Sequence, residues 1–150
     1  MAAAIAVVAL LAVGFGVDQA WRGAGPSGIS SASSSGVVFD TDDQLRQLFD
    51  QQASNVQVYG QGTVVRVLAD DTEGSKHQRF ILRLASGQTL LVAHNIDIAP
   101  RLDGLAVGDV VQFYGEYVYT DQGGTIHWTH HDPSGKHVAG WLQWDGQRFG

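Results

Sequence analysis

The sequence predicts an all-β domain with one short N-terminal helix, its strands closed into a five-stranded barrel. Three observations carry this. Residues 56–130 alternate apolar and polar side chains with a period of two. Two pairs of such runs meet at tight hairpin signals, Ser86-Gly87 and Asp121-Gln122-Gly123-Gly124. The first run is long and changes face across Gly60 and Gly62, which implies a bulge or sharp bend.

The elements follow in order. Thr41-Asp42-Asp43-Gln44 has the form of a capping box with two acids in the first turn, and Leu45, Leu48 and Phe49 follow at helical spacing, so an amphipathic helix is expected over 42–53. Its apolar stripe is narrow and suits a helix that lies on a sheet or plugs a barrel end. Strands are expected over Val56–Leu68, Gln78–Ala85, Gln88–His94, Asp109–Thr120 and Thr125–His130. Asn95 to Gly108 carries Pro100 and reads as an irregular or one-turn helical crossover. Trp141, Leu142 and Trp144, before an Asp145-Gly146 turn, read as a final segment sealing the barrel.

Upstream of the domain, residues 1–17 contain no polar or charged side chain, and the run stops at Asp18. As a helix it would reach roughly 25 Å, near the lower limit for crossing a bilayer core of about 30 Å. Residues 1–22 are therefore expected to be a signal-anchor or signal peptide. Retention is favoured, because a cut after Ala20 would leave Asp18 at the outer position of the cleavage site. Residues 23–36, nearly all Gly, Ser and Ala, form a linker, and 37–150 form the domain. The leader and linker hold one acid and one base, so the formal charge of −6 belongs to the domain. An acidic domain repels polyphosphate, and no nucleic-acid partner is expected. With no cysteine, disulfides, iron-sulfur clusters and thiol catalysis are excluded.

The strand order, a long bent first strand in a meander of three, a crossover and a final hairpin, is that of an oligonucleotide/oligosaccharide-binding (OB-like) barrel. Residues 94–101 (His-Asn-Ile-Asp-Ile-Ala-Pro-Arg), 114–117 (Tyr-Gly-Glu-Tyr) and 126–133 (Ile-His-Trp-Thr-His-His-Asp-Pro), with Gly135, His137, Gly140 and Trp141, carry a family resemblance. On these residues the chain resembles a family of small bacterial envelope domains of this barrel type with no assigned activity. The resemblance implies the fold and a location in the bacterial cell envelope, either anchored in the inner membrane facing the periplasm or exported. It implies no catalytic residues.

Four of the six histidines, His127, His130, His131 and His137, lie within residues 127–137. Imidazole titrates near neutrality and ligates zinc and copper, so the cluster invites metal or acid-base chemistry. In the expected barrel, strands three and five are parallel neighbours. His94, His130, His131, Asp132, His77, Asp109, Asp70 and Asp71 should then share one rim. Along a regular strand His127 would share a face with Thr129 and His131, and Trp128 with His130. A divalent metal, zinc or copper, is placed on His94 together with His131, or with His130 in its place since the two point to opposite faces, and Asp132 or His137 supplies a third contact or orients a ring. The competing reading is a structural network of hydrogen-bonded, packed histidines.

The candidate ligand-binding set is His77, His94, Arg101, His127, Trp128, His130, His131, Asp132 and His137. Arg101 is read as pairing with Asp97 or as holding an anionic ligand. The aromatic group Trp128, Trp141, Trp144, Tyr114, Tyr117, Tyr119 and Phe149 is assigned to core packing over a stacking platform. A calcium-dependent nuclease shares the architecture, but the loop after strand three is His-Asn-Ile-Asp, not a paired-carboxylate loop. The expected function is a membrane-tethered or exported binding module for an unknown small ligand or envelope component, and the alternative is a metal-dependent hydrolase on the same rim.

Overall fold

The computed structural model describes residues 41–150; the expected leader and linker lie outside them. The elements are α1 (Thr41–Asp50), β1 (Val56–Val67), β2 (His77–Arg83), β3 (Thr89–Asn95), β4 (Val110–Val118), β5 (Thr125–His127), β6 (Trp141–Trp144) and β7 (Gln147–Phe149). The strand order β1-β2-β3-β5-β4 is closed by pairing of β1 with β4, so the expected five-stranded barrel forms. The β3–β5 pair is parallel and the other pairs are antiparallel, which leaves no unpaired edge within the ring. No helix among the described residues is long and apolar enough to cross a membrane.

Burial alternates strictly along β2, β3 and most of β4, and this alternation makes the core. Phe80, Leu82, Leu90, Val92, Val111, Phe113 and Tyr117 point inward and are fully buried. The two barrel ends are plugged differently. At one end α1 inserts the fully buried Leu45, while Asp42 accepts a hydrogen bond from Ser86 N (2.8 Å), fixing the helix to the β2–β3 turn. At the other, the crossover buries Ala99, Leu102 and Leu105. The buried Gln78 donates to Leu102 O (3.0 Å) and accepts from Leu102 N (2.9 Å), which satisfies an amide that would otherwise be costly to bury.

Two sequence expectations change. Gly60 and Gly62 do not mark a bulge: β1 pairs with β4 without interruption from Val56↔Tyr117 to Thr63↔Val110. Both glycines face inward, and a Cβ on Gly60 would meet the ring of Phe113. Gly60 makes room for the Phe113 ring and Gly62 for the close approach of β2 at Leu82 and Arg83, and the face change is made by a bulge between Val64 and Arg66 in the β1–β2 register.

The second change concerns strand five, expected to run to His130. β5 stops at His127, because Trp128 adopts a left-handed backbone conformation (φ 52°) that a strand cannot continue through. β5 pairs with the end of β4 (Glu116↔His127), and β6, running in the same direction, pairs further along it (Tyr114↔Trp141). Strand five is thus one line of pairing interrupted by an excursion, residues 128–140. The excursion is pinched at its base, where Gly140 N donates to His130 O (2.9 Å). The aromatic residues divide as well. Tyr117 is core, and Trp144 and Phe149 pack against it. Tyr114 and Trp141 instead stand side by side outside the barrel, with Tyr59 close to Trp141.

Candidate functional site

The excursion and its neighbours sort the histidines into distinct environments. His94 is in phase with Leu90 and Val92, so it points into the barrel and is fully buried. Its Nε2 donates to Pro100 O (3.1 Å), since a carbonyl can only accept, and its Nδ1 faces the hydroxyl of the buried Thr129 (2.8 Å). Burial disfavours the charged ring and lowers its pKa from 6.5 to about 4. The neutral ring therefore accepts the Thr129 proton on Nδ1. No nitrogen remains for a metal, which corrects the placement of His94 as a ligand.

His130 is also buried, and its Nδ1 donates to His131 O (2.7 Å). His131 is exposed on the excursion. His94, His130 and His131 thus do not converge, and among the described residues no group of three or more His, Asp or Glu side chains is arranged to hold a metal. The departure of the chain at Trp128 is the physical reason, because the expected strand alternation ends there.

Asp132 serves the excursion itself. Its carboxylate accepts from the backbone N–H of Ser134 (2.8 Å), Lys136 (2.8 Å) and His137 (2.8 Å) and from the Ser134 hydroxyl. This set of donors, the Ser134 hydroxyl foremost, holds it well below the usual carboxylate range. It organises the turn and presents His137.

His137 donates from Nδ1 to Val138 O (2.9 Å), and its Nε2 meets Glu116 Oε2 at 2.8 Å. Two acceptors on the two nitrogens require a proton on each, and the Glu116 carboxylate raises the imidazole pKa. The ring lies flat on Trp128, with centroids 4.1 Å apart and planes 9° apart, the arrangement in which a cation gains from the face of an indole. The His130 ring stands 5.4 Å from the same indole.

His77 on β2 and His127 on β5 flank β3 on the outside of the barrel. In the register His77 pairs with Asn95 while His127 follows the Val92↔Ile126 pair, so the two rings meet diagonally across β3, 5.2 Å apart. Burial, followed by the neighbouring His77 and His130, lowers the pKa of His127. Arg101 is not free for an anion, and its partner is not Asp97: it forms a two-pronged pair with Asp70 (3.1 and 3.2 Å) and reaches Asp103 (3.2 Å). Asp97 instead accepts from Lys76 N (2.8 Å), closing the β2–β3 end. Asp109, expected on the rim, accepts from Trp144 Nε1 (3.0 Å) and Ala106 N (3.0 Å).

The histidine face lies outside the main hollows. Four hollows of about 380 to 560 Å³ are lined by residues of the α1 end and of the β1, β2 and β3 flanks, and none by a histidine. Glu116 and Thr129 are the partners sequence reading did not single out. Glu116 was findable as the outward residue of β4 facing strand five; Thr129 was not, because its burial depends on the break at Trp128.

Fold and face together define a closed five-stranded β-barrel domain whose fifth strand is split by a histidine- and tryptophan-bearing excursion. A family model matches residues 28–150, and the chain belongs to that family, described as a protein of unknown function (DUF3465). No curated protein matches the chain.

Proposed function

We propose that the protein is a non-enzymatic binding module of the bacterial cell envelope, exported or held at the membrane by residues 1–22. Its ligand surface is the outer face formed by His77, Glu116, His127, Trp128 and His137. The observation that carries this reading is Trp128: a partly exposed indole on a left-handed backbone (φ 52°), clamped against His137. A non-glycine residue held there costs roughly 1 kcal/mol or more, and such strain concentrates at binding and catalytic positions. A surface of this shape suits an extended or flat envelope component better than an engulfed substrate. The hydrolase alternative is less well supported, because His94 has both nitrogens engaged and Glu116 is committed to His137. The formal charge of −6 also disfavours nucleic acid.

The test follows the Trp128 indole N–H by NMR while soluble muropeptides are added, with a single-stranded oligonucleotide as second probe. Muropeptides are expected to shift Trp128 and the His137 ring, and the oligonucleotide to shift neither. Shifts confined to the α1 end, or none at all, contradict the reading, as does salt-sensitive oligonucleotide binding.

A further inference from the structure

Three histidine rings carry no hydrogen bond among the described residues, and two of these, His77 and His127, are the pair that meets. Each of the other four has at least one ring nitrogen bonded or, in the case of His131, stands exposed on the excursion. Neither ring of His77 or His127 is hydrogen-bonded among the described residues, although both side chains are partly buried. Their nitrogens are not sealed from solvent either, since the one buried side-chain polar atom without a partner among the described residues is Gln57 Nε2. An imidazole half removed from water with both nitrogens idle forgoes interactions that the rest of this face satisfies.

From this geometry we infer that His77 and His127 form a two-imidazole clip for a borderline divalent ion, copper(II) or zinc(II), on the outer face of the barrel. Metal–nitrogen bonds of about 2.0–2.1 Å put the centroids of two imidazoles on one tetrahedral ion about 5 Å apart. The observed separation is 5.2 Å, with the rings tilted by 39°. The strands fix this spacing. His77 begins β2 opposite Asn95, and His127 ends β5 just past the Val92↔Ile126 pair, so the two rings meet diagonally above β3. Imidazole ligands favour copper over zinc in the usual affinity order, so copper(II) binds more tightly.

Two protein ligands leave coordination positions open. The clip therefore presents the ion outward, as a contact point for an oxygen- or nitrogen-bearing ligand lying on the Trp128 face. His130 stands close enough to influence His127, and its Nδ1 is already anchored on a backbone carbonyl, as the second nitrogen of a ligating histidine ordinarily is. The clip rests on the reading of this face as a binding surface, and it names the chemistry the face supplies.

The experiment is calorimetric titration of copper(II) chloride and zinc(II) chloride into the full chain, purified in mild detergent without a polyhistidine tag. It is repeated on His77→Ala, His127→Ala and the exposed His131→Ala. One ion per chain is expected, copper tighter than zinc. Either clip substitution should weaken binding at least tenfold, with His131→Ala unchanged. Melting with chelator present checks that each variant is folded, and zinc-induced NMR shifts of the wild-type His77 and His127 rings report on the site without any substitution. No binding by the wild type, shifts at other histidines, or affinity retained in both folded clip variants overturns the clip. Muropeptide shifts at Trp128 in a protein that binds neither ion would overturn the clip and leave the binding face standing.

Discussion

Acidification from about pH 7.5 to about pH 4 is expected to lower the free energy of unfolding by about 3 kcal/mol through His94 alone, since its pKa falls from 6.5 to about 4 on folding. Between those values the unfolded chain binds a proton that the folded chain refuses, so stability rises with pH through this window and is complete above 6.5. His127, also lowered by burial, acts in the same direction. His137 acts oppositely: its pKa is raised by Glu116, so its contribution is complete below 6.5 and is lost as pH rises through the folded value. Stability should therefore peak near neutrality and fall steeply on the acid side. Urea unfolding at a series of pH values measures this, and His94→Gln, which keeps a donor toward Pro100, should flatten the acid limb. A profile that is flat or rises toward acid in the wild type contradicts the assignment of His94 as a buried neutral ring.

The second large effect is expected at the pinch of the excursion. A Cβ on Gly140 would meet the carbonyl oxygens of Trp128 and Tyr114, both backbone atoms that cannot swing aside. Gly140→Ala must push β6 from β4 or open the base of the excursion, at a cost of about 3 kcal/mol. Hydrogen exchange should show the damage localised: the Gly140 N–H to His130 bond and the β4–β6 pairing lose protection, while the β2–β3 hairpin keeps it. A variant as stable as the wild type would mean that strand five is not held together across the excursion.

The parts of the fold legible in the sequence are those fixed by local pattern. The β2 and β3 strands, the Ser86-Gly87 turn, the Asp145-Gly146 turn and the helix all follow from periodicity and turn chemistry within a few residues. The split of strand five was not legible, because Ile126-His127-Trp128-Thr129-His130 alternates as a strand should, and only the pairing of β6 with β4 shows where the strand resumes. Arg101 illustrates the same limit: the nearby Asp97 was the natural partner by spacing, and the one used, Asp70, comes from the loop after β1. His94 was legible after all. Its phase with Leu90 and Val92 places it inside, where an imidazole ordinarily serves structure by satisfying its own nitrogens. The rim of histidines is real as a neighbourhood, but burial and hydrogen bonding divide it into a structural ring (His94), a latch (His137 with Glu116 and Trp128) and a free pair (His77 and His127).

This division is the central claim, and a pH titration of the histidine side chains by nitrogen-15 NMR in the metal-free protein tests it most directly. His94 should remain neutral down to about pH 4 as the Nε2–H tautomer, His127 should titrate below 6.5, and His137 should titrate above 6.5. His94, His127 and His137 titrating together near the ordinary value, or a His94 ring that takes up a proton there, would contradict it.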